Sequence, residues 1–219
     1  MAAITSRREY RAARRADASG SGPTVEERPP ARYPGAAGAF ALFGEVLLVG
    51  LLVTVAGLAI ITLPAALAAG IRHLRRYLDA EASPARLFWR DARTALPGGL
   101  VVGLAAVVAA GVLALDIHLA SSGALPGGPA VAVVGWAGLV VGAVVLLAAA
   151  GAWTPETGWR SAVRGVPAAI AADPRGGLYL AATAVFVGVA TWTLAPLLIP
   201  ALGCAVLAVV AIPTRRRTR

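Results

Sequence analysis

The stretch ITLPAALAAGIRHLRRYL, residues 61–78, begins as hydrocarbon fit for a bilayer and ends as a basic helix. Its reading decides whether the apolar chain before it crosses a membrane once or twice. Pro64 suits a helix start, because its missing N–H would be unpaired in the first turn anyway. Behind it, Ile71, Leu74 and Leu78 continue an apolar stripe, while Arg72, Arg75 and Arg76 are expected to leave the bilayer and mark its cytoplasmic side. The run 40–71, taken as one helix, would be about 48 Å long, too long for a single span without strong tilt. Two crossings with a turn between Gly57 and Pro64 fit better, which gives six membrane segments rather than five.

Composition supports lipid as the solvent. The chain has 219 residues, 58% of them hydrophobic and only 14% charged, with a mean hydropathy of +0.74. A soluble domain of this size needs a larger charged surface. Gly and Ala, abundant here, let helices approach closely in lipid. The net charge of +9 comes entirely from arginine. Nucleic-acid binding would need a folded basic face or a known module; here the arginines fill the gaps between apolar runs instead, as in cytoplasmic loops. Cys204, the one cysteine, excludes an intrachain disulfide and is expected to pack as a small apolar residue.

The expected fold is all-α, a polytopic transmembrane helical bundle of five or six membrane segments with short amphipathic interfacial helices. Residues 1–39 read as a disordered basic cytoplasmic arm with seven arginines and four acids. No apolar stretch stands directly behind its early charges, so it does not read as a cleaved signal. Residues 40–213 form the membrane domain, with segments at about 40–58, 62–78, 98–119, 130–153, 177–195 and 197–213. The linkers 79–97 and 154–176 and the basic tail 214–219 carry arginine, while residues 120–129 carry no charge. The positive-inside rule then puts the arm, both linkers and the tail in the cytoplasm of a bacterial inner membrane.

Both linkers look helical. Ser83 is placed to cap a helix with Pro84 at its first position. Arg86, Arg90 and Arg93 then share one face, with Leu87, Phe88, Ala92 and Ala95 to the other side and Trp89 near the boundary. In the second linker, Trp159, Ala162, Val163 and Val166 form an apolar stripe opposite Arg160 and Arg164. Both are expected to lie on the membrane surface with tryptophan at headgroup depth.

Taken in order, GEVLLVGLLVTVAGLAIITLPAALAAGIRHLRRYLDAE, RLFWRDARTAL, LALDIHLASSG, IAADPRGGLYLA and APLLIPALGCAVLAVVAI resemble the YesL-type family of bacterial membrane proteins, a family of unknown function. The resemblance covers most of the chain after the arm, which itself departs from the usual pattern. It implies an accessory role beside carbohydrate import systems of the ABC type.

Ionisable residues inside the apolar runs are functional candidates by default: Glu45, Asp116 and His118. Glu45 suits a proton or cation ligand, a partner for a linker arginine, or an interfacial carboxylate near a helix N-terminus. Asp116 and His118, two apart, fall on different helix faces and suit an outer cap where the helix exits. A shared metal would need further ligands, and His73 is expected on the opposite side of the membrane. No catalytic constellation, phosphate loop or cofactor motif is present in the sequence, so no enzyme, metal or cofactor is expected. Phe88, Trp89, Arg90, Trp159 and Arg160 are the candidates for docking or lipid anchoring. The expected partners are the bilayer, then ABC transporter subunits or further copies of the chain, with no nucleic acid. The alternatives to an accessory subunit are a small transporter or channel using an intramembrane carboxylate, and a homo-oligomeric scaffold.

Overall fold

The computed structural model describes residues 38–122 and 127–214. The expected arm up to residue 37, the middle of the loop at 120–129 and the tail from 215 lie outside the described residues. Those described fold as seven α-helices with no strand among them: α1 (Ala39–Ala56), α2 (Leu63–Leu78), α3 (Ala85–Ser121), α4 (Gly128–Ala152), α5 (Gly158–Ala172), α6 (Pro174–Thr193) and α7 (Leu198–Thr214), the last preceded by a 3-10 turn, Ala195–Leu197. Helices are the form in which an apolar chain satisfies its own backbone in lipid. Five stretches are long and apolar enough to cross a bilayer: α1, α3, α4, α6 and Ala195–Ile212.

The opening stretch supplies α2, which has 16 residues and ends in arginines. It is the centre of the bundle, packing against α1, α3, α4 and α7. Every residue from Pro64 to Ile71 is buried, followed by His73, Leu74 and Leu78. Its direction is read from its neighbours. Gly57 at the end of α1 lies against Leu63, and Gly70 lies between Val49, Val53 and Val206. On α3, Gly99 meets Ala65 and Gly103 meets the carbonyl of Ile61. So α2 runs antiparallel to both α1 and α3. It returns the chain to the end where α1 began, but it is not among the five stretches long and apolar enough to cross a bilayer.

The first linker departs from expectation. It is not a separate surface helix, because α3 continues through Pro97 as one helix of 37 residues, about 55 Å long. Proline removes one donor there, while Gly98 and Gly99 beside it admit Trp159 and Ala65 against the backbone. Pro84, with ψ 146°, rather than Ser83, sits at the cap. The stripe on α5 also turns inward. Trp159, Ala162 and Val166 are buried in the protein core, so this helix covers the ends of α3 and α4 instead of resting on lipid. Cys204 is exposed on α7 and does not pack internally.

The three hairpins reach unequal depths. Ile61 meets α3 at Gly103, and α3 continues to Ser121, about 27 Å farther. There α4 accompanies it, with Gly128 against Ala120 and Gly138 against Leu113. On the other side, α7 crosses α1 where Gly50 abuts the Ile199 carbonyl and Gly203 abuts that of Val46.

These crossings tolerate no side chain. Gly50→Ala is expected to lower stability by about 1–3 kcal/mol through overpacking. Gly44→Ala, which meets nothing within 4 Å, is expected to be neutral or stabilising because alanine is the better helix former. Denaturation midpoints in detergent compare the two.

Candidate functional site

The last turns of α2 carry Arg72, His73, Arg75 and Arg76 into a position where α1, α3 and α4 each present a partner. Arg72 and Arg76 both turn to α3. Arg72 Nε donates to Asp91 Oδ2 at 3.2 Å and Arg76 Nη1 donates to the same oxygen at 2.7 Å. The Asp91 side chain is only 4% exposed, and Arg90 Nη2 lies 3.7 Å from its other oxygen. A buried carboxylate without such partners would be strongly unfavourable. With them it becomes the link between α2 and α3.

Arg75 points the other way. Its Nη2 donates to the Gly151 carbonyl at 2.9 Å, one of the last four carbonyls of α4, which have no partner within their own helix. A cation at a helix C-terminus also meets the favourable end of the dipole. The Arg72 guanidinium lies 5.9 Å from the centroid of Trp153, within cation–π range. Trp153 in turn stands 6.0 Å from Trp159, whose Nε1 donates to the Ala95 carbonyl at 2.8 Å. One end of the bundle is therefore connected from α2 through α3, α4 and α5.

The remaining residue, His73, faces α1. Its Nε2 lies 2.7 Å from Glu45 Oε1. With Glu45 ionised its oxygen accepts and Nε2 is the donor. His73 is 1% exposed and Glu45 15%. Phe88, fully buried, presents its edge to the His73 ring at 6.4 Å. Glu45 thus has a partner, as one reading of the sequence expected, but that partner is a histidine of α2 and not a linker arginine.

The other candidates divide. Asp116 and His118 are on the far part of α3, 25 residues beyond Asp91 by number and so about 37 Å along the helix. The structure does not bring them to the cluster. The His118 carbonyl accepts from the Ser121 hydroxyl and the Ser122 N–H, a closing turn at the helix end. Phe88 and Trp159 are withdrawn into the core, which corrects their reading as docking or lipid-anchoring residues, since burial denies them to either. Trp89, Arg90 and Arg160 remain exposed. The arginines of α2 likewise do not simply leave the bilayer, because they are drawn into pairs by Asp91 and Gly151.

Asp91 and His73 carry the site without having been among the candidate residues, and Arg72 and Arg76 had been read only as a marker of the cytoplasmic side. Asp91 had a signal, since it lies three residues from Phe88 and four from Ala95, on the apolar face of its helix. A lone carboxylate on such a face implies a buried counter-charge. Among the described residues, no group of three or more His, Cys, Asp or Glu is placed to hold a metal ion.

Asp91→Ala would strand two guanidinium groups and is expected to cost about 3–5 kcal/mol, as breaking a buried pair does. Trp159→Phe loses one hydrogen bond and is expected to cost about 1 kcal/mol. Both are read from unfolding midpoints in detergent. Compared with protein-family models, curated proteins and solved structures, the chain matches none.

Proposed function

We propose that this integral membrane protein is a non-enzymatic accessory or scaffold subunit of a larger membrane complex in the bacterial cytoplasmic membrane, with both termini in the cytoplasm. The observation that carries this reading is the arrangement of charge at one end of the bundle. Its buried ionisable groups hold helices together, while a second set faces outward: Arg86, Trp89, Arg90 and Arg93 on α3, with Arg160 and Arg164 on α5. The acid within this part of α3, Asp91, is withdrawn from that face and reaches only Arg90 of these arginines, at 3.7 Å, so among the described residues the face offers arginine to an acidic partner. The resemblance to the YesL-type family supplies the class of complex, an ABC-type carbohydrate importer.

Purification from the native membrane in mild detergent tests this reading. A sugar-permease subunit should accompany the wild-type protein, and its recovery should fall in Trp89→Ala/Arg90→Ala without a fall in thermal stability. Recovery of a homomer alone would favour the self-assembling scaffold and count against the importer.

A second reading, a small transporter, is favoured by one specific observation, the Glu45–His73 contact at 2.7 Å between two ionisable side chains in the bundle. Flux into liposomes by the wild type, abolished in Glu45→Gln and retained in Asp116→Asn, is its expected outcome. Flux unchanged in Glu45→Gln would remove it.

A further inference from the structure

Like the Arg76–Asp91 pair, the Glu45–His73 pair leaves buried nitrogen unpaired, but here the nitrogen belongs to a ring that can take up or release a proton. Its contact at 2.7 Å uses Nε2, and the other ring nitrogen, Nδ1, is buried with no hydrogen-bond partner. With one hydrogen shared between Oε1 and Nε2, Nδ1 is only an unused acceptor. A second proton would turn it into an unused buried donor, which costs a desolvation penalty of about 1–3 kcal/mol. Arg72 and Arg76 stand one and three residues away on the same helix, and Nε and Nη2 of Arg76 are themselves buried without partners.

We propose that Glu45 and His73 form a proton-binding site whose occupancy governs the contact between the start of α1 and the end of α2. With one shared proton the pair is closed. Uptake of a second, onto Nδ1 or onto the carboxylate, requires the first turns of α1 to move aside and admit water. The proton enters through Glu45, the partly exposed member of the pair, because His73 is enclosed. The other charged groups are accounted for by element. On α1, Glu45 is the only one, and α4 has none. On α3, Asp91 is held by Arg72 and Arg76, while Arg86, Arg90 and Arg93 face outward; α7 offers only Cys204, itself exposed. On α2, Arg75 is turned to Gly151. The movement is confined to the turn before Val46, since from there α1 is seated on α7, the Val46 carbonyl on Gly203 and Gly50 on the Ile199 carbonyl. The inference rests on this geometry, not on either functional reading, and can fail or hold independently of both.

The chain has two histidines, so histidine-selective nitrogen labelling of the full-length protein in lipid nanodiscs gives two sets of signals. His118, exposed at the far end of α3, serves as the internal reference. At high pH, His73 is expected as a single tautomer protonated on Nε2, and in Glu45→Gln that preference should be lost. The opening is read by maleimide labelling of Leu42→Cys in a Cys204→Ala background, on the turn of α1 preceding Glu45. Labelling should rise several-fold as the pH is lowered, in step with the His73 signals. In Glu45→Gln it should be independent of pH. A tautomer mixture at His73 like that of His118 would overturn the proposal, as would labelling of Leu42→Cys that ignores pH in the wild-type pair. If Glu45→Gln unfolds, the wild-type tautomer and the pH dependence of labelling still decide it.

Discussion

A helix ending in three arginines and a histidine can occupy the centre of an apolar bundle only if each charge finds a partner there. That constraint organises the molecule. Asp91 answers Arg72 and Arg76, the open end of α4 answers Arg75, and Glu45 answers His73. Each answer comes from a different helix, so neutralising α2 also fixes α3, α4 and α1 around it. The stability gained is not the Coulomb energy, which desolvation largely cancels. It is the specificity of position, because removing any one partner leaves a buried charge alone.

The rest of α2 is held by contact at close range. In lipid, helices gain little from hiding apolar surface, so association depends on packing. The α2 sequence from Pro64 to Gly70 is nearly all alanine and glycine, and α1, α3 and α7 bring glycine to their crossings with carbonyl oxygens: Gly50 to Ile199, Gly103 to Ile61, Gly203 to Val46. Small residues at one end of α2 and paired charges at the other give it two unlike attachments. The first is insensitive to salt, and the second holds the two buried ionisable residues among the described ones, His73 and Asp91.

Much of this was legible in the sequence. Hydropathy showed an all-α chain, because long apolar runs are the strongest signal a chain carries, but it did not show that α3 begins at Ala85. The break at Pro196 and Pro200 marks the short 3-10 turn before α7. What the sequence obscured was direction, meaning which face of an amphipathic helix looks to water, to lipid or to protein. Trp159 and Phe88 suited an interface, yet they are interior, since α5 folds back over the bundle and α3 extends past Pro97. The arginines of α2 were legible as a topological marker and not as ligands for Asp91, because that pairing joins residues 15 and 19 positions apart through a turn. Glu45 and His73, 28 apart, are brought together only by the antiparallel packing of α1 on α2.

The turns between helices carry a further consequence of lipid as solvent. The segment between α1 and α2 has exposed Leu58, Ile60 and Ile61 and no charge, with Ile60 at φ 54°. Its polar backbone is satisfied locally: Gly57 and Ile60 N–H donate to Val53 and Gly57 carbonyls, and the Thr62 hydroxyl caps Ala56. The turn at residues 153–157 is the opposite. There Thr154 and Thr157 bond to each other, and Glu156 is fully exposed with its carboxyl held below the ordinary range by its own backbone N–H and then by the Thr154 hydroxyl. Twelve residues of α3 separate the level of Asp91 from that of Gly103, about 18 Å, against a hydrocarbon core of about 30 Å. Were the ion network at headgroup depth, the α1–α2 turn would end inside the bilayer, where irregular backbone survives only if its own groups are satisfied. Its self-contained hydrogen bonds and apolar tip meet that requirement, and α2 then needs only to reach from this turn to the charged end of the bundle.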